Sequence, residues 1–151
     1  MKINISYHLF ITLLFIIFIV YYYHTHTKKH KVYGKVARTL HESKKGLMFR
    51  RMSLKKNEGM LFPMKKNNIH SMWMKNTYIP LDMIFLNKSM KVVGYIEDTE
   101  PLSTKSLSIN KPSSYVLEMN GNTVSHMNIK IGDTIEFIEV KDDTVLKKYI
   151  Y

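Results

Sequence analysis

Four polar or charged side chains that can support acid–base chemistry lie in or beside apolar segments. Lys75 and Asn76 follow the single tryptophan, Trp73, and Asp82 lies in the next apolar run. Glu118 lies among Tyr, Val, Leu and Met residues, where a charge is not expected without a partner. Convergence of Asp82, Glu118 and Lys75 would permit general acid–base work on a polar ligand. Lys75 and Asn76 would then orient an anionic or carbonyl group of that ligand.

The same residues also have structural explanations. Asn76 can bond the backbone of its own turn, and Asp82 can accept backbone N–H groups or pair with Lys75. Trp73 ends an apolar segment and is expected in the core, because one large ring can anchor a small domain. The sequence therefore commits no residue to catalysis. It predicts a candidate ligand-binding set: Trp73, Lys75, Asn76, Asp82 and Glu118.

Most familiar reaction centres and cofactor sites are missing from the sequence. There is no cysteine, which excludes disulfides, thiolate metal sites and cysteine nucleophiles. We find no Ser-His-Asp spacing and no glycine-rich phosphate loop. Three histidines near the N-terminus could recruit a metal ion, but without a folded frame they are expected to be solvated: His24, His26 and His30. No metal and no cofactor is predicted.

The chain is strongly basic, with a formal net charge of +11 from 23 basic and 12 acidic residues. This balance favours an anionic small ligand, an anionic membrane surface or an acidic polymer without selecting one. Nucleic acid is disfavoured, because the basic patch interleaved with aromatics that such modules carry is absent. A basic surface would comprise residues 28–31 with Arg50, Arg51, Lys55, Lys56, Lys65 and Lys66.

Residues 3–23 predict a single transmembrane helix. The segment is overwhelmingly apolar, and a span needs about 20 residues to cross about 30 Å of hydrocarbon. A cleaved secretory signal is the rival interpretation, but suitable small residues are absent from residues 21–31. We therefore expect an uncleaved single-pass anchor (residues 1–23), a basic His/Lys linker (residues 24–31) and a compact domain (residues 32–151). The flanking lysines favour a cytoplasmic domain.

The remaining pattern predicts an α+β domain, mainly antiparallel β, built as a small barrel or sandwich with one main helix. That helix is expected at residues 40–48, because Thr39 and Glu42 form a capping-box pattern. Pro63 is expected to stop a strand, and residues 65–68 to form a turn. Strands are predicted at residues 32–38, 60–62, 69–74, 81–86, 91–97, 115–119, 133–140 and 145–151, with a short helix at 123–127.

Seven blocks of sequence occur in an order that is specific. They lie at residues 46–50, 59–62, 73–77, 79–85, 101–103, 115–118 and 131–133. Together they resemble the domain-of-unknown-function family number 192, over about residues 36–137. The resemblance implies a compact, mostly β domain with no established activity. It also implies a signal peptide or single membrane segment and a domain facing out of the cytoplasm, which conflicts with the flanking charges and leaves orientation open.

Three functions follow from these observations. The preferred one is a membrane-anchored, non-catalytic binding or accessory module, which contacts the bilayer through residues 3–23. The first alternative is an enzyme with an acid–base site around Lys75, Asn76, Asp82 and Glu118. The second alternative is a basic surface that binds anionic lipid or nucleic acid. Whether the chain has a protein partner is not determined by the sequence.

Overall fold

The computed structural model describes residues 5–141, with side chains described at residues 8–22 and 27–141. Within this part of the chain the elements, in order, are α1 (Ile5–His26), β1 (Lys29–Val36), α2 (Leu40–Lys45), β2 (Glu58–Asn68), β3 (Leu81–Leu86), β4 (Val92–Thr99), β5 (Ser113–Asn120), α3 (Thr123–Met127) and β6 (Thr134–Glu139). The strand predicted at residues 145–151 lies outside the described residues.

The strands form one six-stranded sheet in the order β4-β3-β5-β2-β1-β6. β1 runs parallel to both of its neighbours, β2 and β6, whereas the pairs β2–β5, β3–β4 and β3–β5 are antiparallel. The domain is thus a small barrel-like domain, but its sheet is mixed rather than mainly antiparallel. The unit β1–α2–β2 is a parallel crossover. Its helix has only six residues, too short to produce a visible βαβ rhythm in the sequence.

Two predictions around Pro63 are wrong. β2 continues through Pro63 to Asn68, so the proline does not end the strand and residues 65–68 do not form a turn. A register shift between Pro63 and Asn68 in the pairing with β5 accommodates the missing N–H. Residues 69–74 do not form a strand either. Only Met72 makes an isolated bridge.

Several local predictions are confirmed. β3 and α3 have the predicted bounds. α2 begins at Leu40, and Thr39 and Glu42 form both halves of the capping box. The helix is shorter than predicted, however, because it ends at Lys45 and Gly46 follows with a φ of +47°.

The start of β1 corrects the prediction for the linker. Lys29 already pairs with Thr134 of β6, so the last residues of the predicted linker belong to the sheet. His30 is buried, and its Nε2 lies 2.8 Å from Asp133 Oδ2, so this histidine is not solvated. The other Asp133 oxygen accepts the N–H of Lys28 at 2.8 Å. These contacts fix the chain where it leaves α1.

Apolar side chains bury both faces of the sheet. One cluster, here called the α3 face, includes Ile84, Leu117 and Met119 and packs against Val124 of α3. The opposite cluster, here called the α2 face, lies on the other side of the same strands. It combines strand residues with residues that flank α2 and residues of the loop before β3: Ala37, Leu47, Phe62, Met74, Ile79, Met83, Phe85 and Val116. All six residues of β3 are buried, because that strand is covered on both faces and paired on both edges.

None of the described side chains of helix α1 contributes to either cluster. Its described large apolar side chains are exposed, including Phe10, Phe15, Ile16 and Phe18. Among the described residues, no helix meets the combined requirement of length and apolar character for crossing a membrane.

Candidate ligand-binding site around Glu118

The strand register separates the two carboxylates that the sequence placed together. In the antiparallel pairing of β3 with β5, Asp82 is opposite Met119 and Met83 is opposite Glu118. Side chains alternate between the two faces of a sheet along each strand. Asp82 therefore points to the α3 face with Met119, whereas Glu118 points to the α2 face with Met83. The predicted acid–base site shared by these carboxylates is not formed.

Asp82 is fully buried and has a complete set of partners. Its Oδ1 accepts the backbone N–H of Asp98 at 2.8 Å and that of Asn122 at 3.1 Å. Its Oδ2 accepts the N–H of Val124 at 2.7 Å. Asn122 precedes α3 without a side-chain cap of its own, so the carboxylate satisfies the free N–H groups at the start of that helix. The structural explanation for Asp82 holds, although its partners do not include Lys75.

Glu118 is the opposite case. Its side chain lies in the middle of β5 and only 5% of the residue is exposed. Among the described residues, no donor or cation pairs with its carboxyl group. Burial raises the pKa of Glu118 to about 8. At neutral pH most molecules therefore carry this group as the neutral acid.

The Glu118 carboxyl lines a small cavity under α2 and the loop that follows it. The cavity has a volume of about 30 Å³, and Ser43, Phe62 and Thr77 are among its lining residues. Gly46 lies close above the acid, since a Cβ at this position would be 3.8 Å from Glu118 Oε2 and 3.2 Å from Phe62 Cζ. The positive φ of Gly46 also favours glycine. This space has room for one or two water molecules, or for one small functional group of a ligand.

Trp73 lines the same cavity but is not a core residue. Half of it is exposed (51%), whereas its neighbour Met74 is completely buried and takes the core position. The prediction of a core tryptophan is wrong, because the alternation of the chain gives that place to Met74. The Lys75 ammonium lies 5.5 Å from the centre of the Trp73 ring, within the range of a cation–π interaction.

Asn76 has a mainly structural role. It adopts a left-handed conformation with a φ of +58°, which asparagine tolerates better than most residues. Its carbonyl oxygen accepts the N–H of Phe49 at 2.7 Å, which ties this turn to the loop after α2. Of the five candidate residues, the structure brings Trp73, Lys75 and Glu118 to one region. Asn76 braces this region, and Asp82 lies on the other face.

A larger groove lies on the outer side of the same loop. It has a volume of about 550 Å³, within the range of small-ligand sites. Gly46, Leu47 and Met48 line both this groove and the Glu118 cavity. The groove walls also carry Lys35, His41, Glu42, Lys45, Phe49, Arg50 and Met60. No sequence pattern indicated this groove, which is open because α2 buries none of its residues.

The comparisons with known proteins agree with this architecture. A family model for domain-of-unknown-function 192, described as "Uncharacterized ACR", matches residues 22–137. The chain belongs to this family of uncharacterised domains, as the sequence blocks indicated. No curated protein matches the chain.

Two solved structures are similar to this chain, each with a TM-score of 0.63. One is a protein of unknown function from Novosphingobium aromaticivorans, with 38% identity over 67% of this chain and 71% of the other. The second, from Sinorhizobium meliloti, is described as a "putative transcription regulator"; it has 35% identity over 67% of this chain and 78% of the other.

Proposed function

We propose that this chain is a non-catalytic ligand-binding module whose site is the Glu118 cavity with Trp73 and Lys75 beside it. The observation that carries the proposal is the Glu118 carboxyl, which lines the cavity and receives no hydrogen bond from the described residues, although only 5% of the residue is exposed. A polar group in such a place is hydrogen-bonded to water or to a ligand. The same sheet gives Asp82 three donors. A ligand that forms hydrogen bonds with Glu118 would supply the partners that the described residues do not provide.

Binding is favoured over catalysis by the positions of the two carboxylates. General acid–base catalysis of the predicted kind requires a second carboxylate near the first. Asp82 points to the opposite face, and both of its oxygens already accept backbone N–H groups. It is therefore not available to act with Glu118 on one ligand.

The proposal is tested with the full-length chain in detergent micelles. Ligand-observed NMR would screen a library of small polar compounds against the wild type, Glu118→Gln and Glu100→Gln. Glu100 is an exposed acid that does not line the cavity, so its variant is the matched control. Compounds that bind the wild type and the control but not Glu118→Gln support the proposal. Hits that bind all three proteins equally, or a screen without hits, contradict it.

We further propose that the chain attaches to a membrane through α1. The support is the continuous exposed apolar surface between Leu9 and Tyr22, since a helix that is apolar on all sides requires an apolar environment. Ile16→Lys should shift the protein from the membrane fraction towards the soluble fraction after carbonate extraction. Ile131→Lys, at an exposed site in the domain, is the control. Protease protection then distinguishes a span from a helix at the interface and reports the side of the domain.

Two observations favour the alternative of a basic binding surface. Lys35, Lys45 and Arg50 line one groove, and a similar solved structure bears a description that names transcription. Binding of this kind predicts a steep loss of affinity for DNA or anionic vesicles as salt increases. Affinity for both that is absent or independent of salt contradicts it.

A further inference from the structure

Apart from the exposed donors Lys44, Lys45 and Trp73, the polar side chains that line the Glu118 cavity are those of Ser43, Thr77 and Glu118, whose oxygens can accept hydrogen bonds. Two lining residues carry hydroxyl groups, but each already donates its proton: Ser43 Oγ to the Ala37 carbonyl at 3.3 Å and Thr77 Oγ1 to the Lys75 carbonyl at 3.4 Å. No described residue donates to these hydroxyl oxygens or to Glu118. Glu118 is mostly the neutral acid in the free chain, but a bound cation favours its ionised form, which accepts on both oxygens. A site of this kind is complementary to a group that donates several hydrogen bonds and accepts none. A primary ammonium, with three N–H donors, is such a group.

The size of the cavity narrows the choice further. At about 30 Å³ it has room for a group of about the size of one or two water molecules. A primary ammonium fits this space and donates three N–H bonds, whereas a trimethylated ammonium has no N–H to donate.

Positive charges beside the cavity determine what must accompany the ammonium. Lys44 and Lys45 belong to the lining residues, and Lys75 lies over the ring of Trp73. Lys44, Lys45 and Lys75 are exposed. They would repel a simple cation, but they would attract an anionic group on the same ligand. The exposed part of Trp73 can cover the atoms that join the two charges.

We propose that the Glu118 cavity binds the primary ammonium of a zwitterionic ligand, whose phosphate group contacts Lys44 and Lys45. This inference rests on the proposed function and names the class of ligand for the same site. Two sources share this chemistry: the headgroup of an aminophospholipid and a free aminoalkyl phosphate. The proposed attachment to a bilayer would bring the first source close to the domain.

The single tryptophan provides the readout, because Trp73 lines the cavity and no other tryptophan contributes to the emission. The full-length chain in detergent micelles is titrated with O-phosphoethanolamine, with O-phosphocholine and with ethanolamine. We expect a saturable change in emission with O-phosphoethanolamine. O-Phosphocholine should bind about tenfold more weakly or worse, because it cannot donate N–H bonds. Ethanolamine should also bind more weakly, because it lacks the phosphate.

Three variants test the assigned contacts and retain Trp73. Glu118→Gln should weaken the binding of O-phosphoethanolamine about tenfold or more, because the charge-assisted hydrogen bond is lost. Lys44→Met combined with Lys45→Met should weaken it by a smaller factor and reduce its salt dependence. Lys91→Met, at an exposed lysine on the edge of β4, is the control and should bind as the wild type does.

A second arm distinguishes the two sources. The chain is placed in phosphatidylcholine nanodiscs with and without phosphatidylethanolamine, and free O-phosphoethanolamine is then added. A Glu118-dependent change in emission with the aminophospholipid itself, which blocks the later titration, indicates the headgroup. A response to the free compound alone indicates a soluble ligand.

The outcomes separate this inference from the function on which it rests. Equal binding of O-phosphoethanolamine and O-phosphocholine, or unchanged binding by Glu118→Gln, overturns the assignment of an ammonium. So does the absence of saturable binding of O-phosphoethanolamine in both arms. If compounds from the library still bind in a Glu118-dependent way but carry no primary ammonium, the module binds ligands of a different class. If no compound depends on Glu118, both proposals are wrong.

Discussion

Asp82 and Glu118 lie on adjacent central strands and are both buried, yet the fold treats them in opposite ways. Asp82 accepts three backbone N–H groups, from Asp98, Asn122 and Val124. Glu118 receives no hydrogen bond from the described residues, and burial raises its pKa to about 8. Burial alone therefore does not identify a functional carboxyl group. The supply of donors around it separates a structural acid from one that a ligand can use.

The different coverings of the two faces explain this contrast. On the α3 face, the start of a helix brings free N–H groups directly to Asp82. On the α2 face, the helix buries none of its residues, and the loop after it places Gly46 over Glu118. Gly46 has no side chain to fill the space or to pair with the acid, and its N–H already donates to the Glu42 carbonyl at 2.7 Å. A cavity remains where the other face has a completed network.

The largest expected effect is on the Asp82 side of the comparison. Asp82→Ala leaves three buried N–H groups without an acceptor and should reduce the free energy of unfolding by about 3–5 kcal/mol. Urea unfolding followed by Trp73 emission measures this loss. Asp98→Ala is the control, because its carboxylate is exposed and makes only a long bond to Asn122. A loss of less than about 1 kcal/mol for Asp82→Ala would contradict the structural role.

Glu118 should have the opposite effect on stability: its ionised carboxylate should destabilise the folded chain. Its folded-state pKa of about 8 lies above the ordinary value of 4.5, so the folded chain retains a proton that the unfolded chain has released. Stability should therefore fall as pH rises through this interval, and the full cost should be present above about pH 8. Glu118→Gln removes the titrating group. Melting temperatures measured across this range should decline for the wild type and less for the variant; parallel curves would disprove the interpretation.

Substitution of Gly46, which lies over the Glu118 cavity, should have a smaller effect on stability. Gly46→Ala places a Cβ 3.2 Å from the Phe62 ring at a φ of +47°, which should cost about 1–3 kcal/mol. It should also weaken the binding of any ligand that depends on Glu118, because the added methyl group narrows the cavity. Gly132→Ala, at a φ of +97° with only Thr27 nearby, is the matched control. It should lose stability but retain binding; equal loss of binding in both variants would mean that general destabilisation is the cause.

The smallest effect concerns the helix that carries Lys44 and Lys45. Thr39→Ala removes the side chain that accepts the Glu42 N–H at 3.1 Å and should cost about 1 kcal/mol. Because α2 is exposed, hydrogen exchange of its amides should increase while exchange in β3 stays unchanged. Thr104→Ala, at an exposed loop position, should leave both unchanged. Faster exchange throughout the domain would show that α2 supports more than its own end of the fold.

Patterns that depend on neighbouring residues were readable before the structure was known. The apolar run around Asp82 identified β3, Leu81–Leu86, with its bounds. The Thr39–Glu42 capping box identified the start of α2. The ordered sequence blocks identified the family. Each of these signals is local, because alternation, capping and motif order do not depend on which strands become partners.

Pairing between distant strands decided the rest. Nothing local showed that β1 would pair in parallel with β2 and β6, or that β2 would continue past Pro63. The sequence by itself determined that Asp82 and Glu118 would be carboxyl groups in buried strands. Only the tertiary structure decided that they face opposite sides of the sheet, because a register offset by one residue reverses the direction of a side chain.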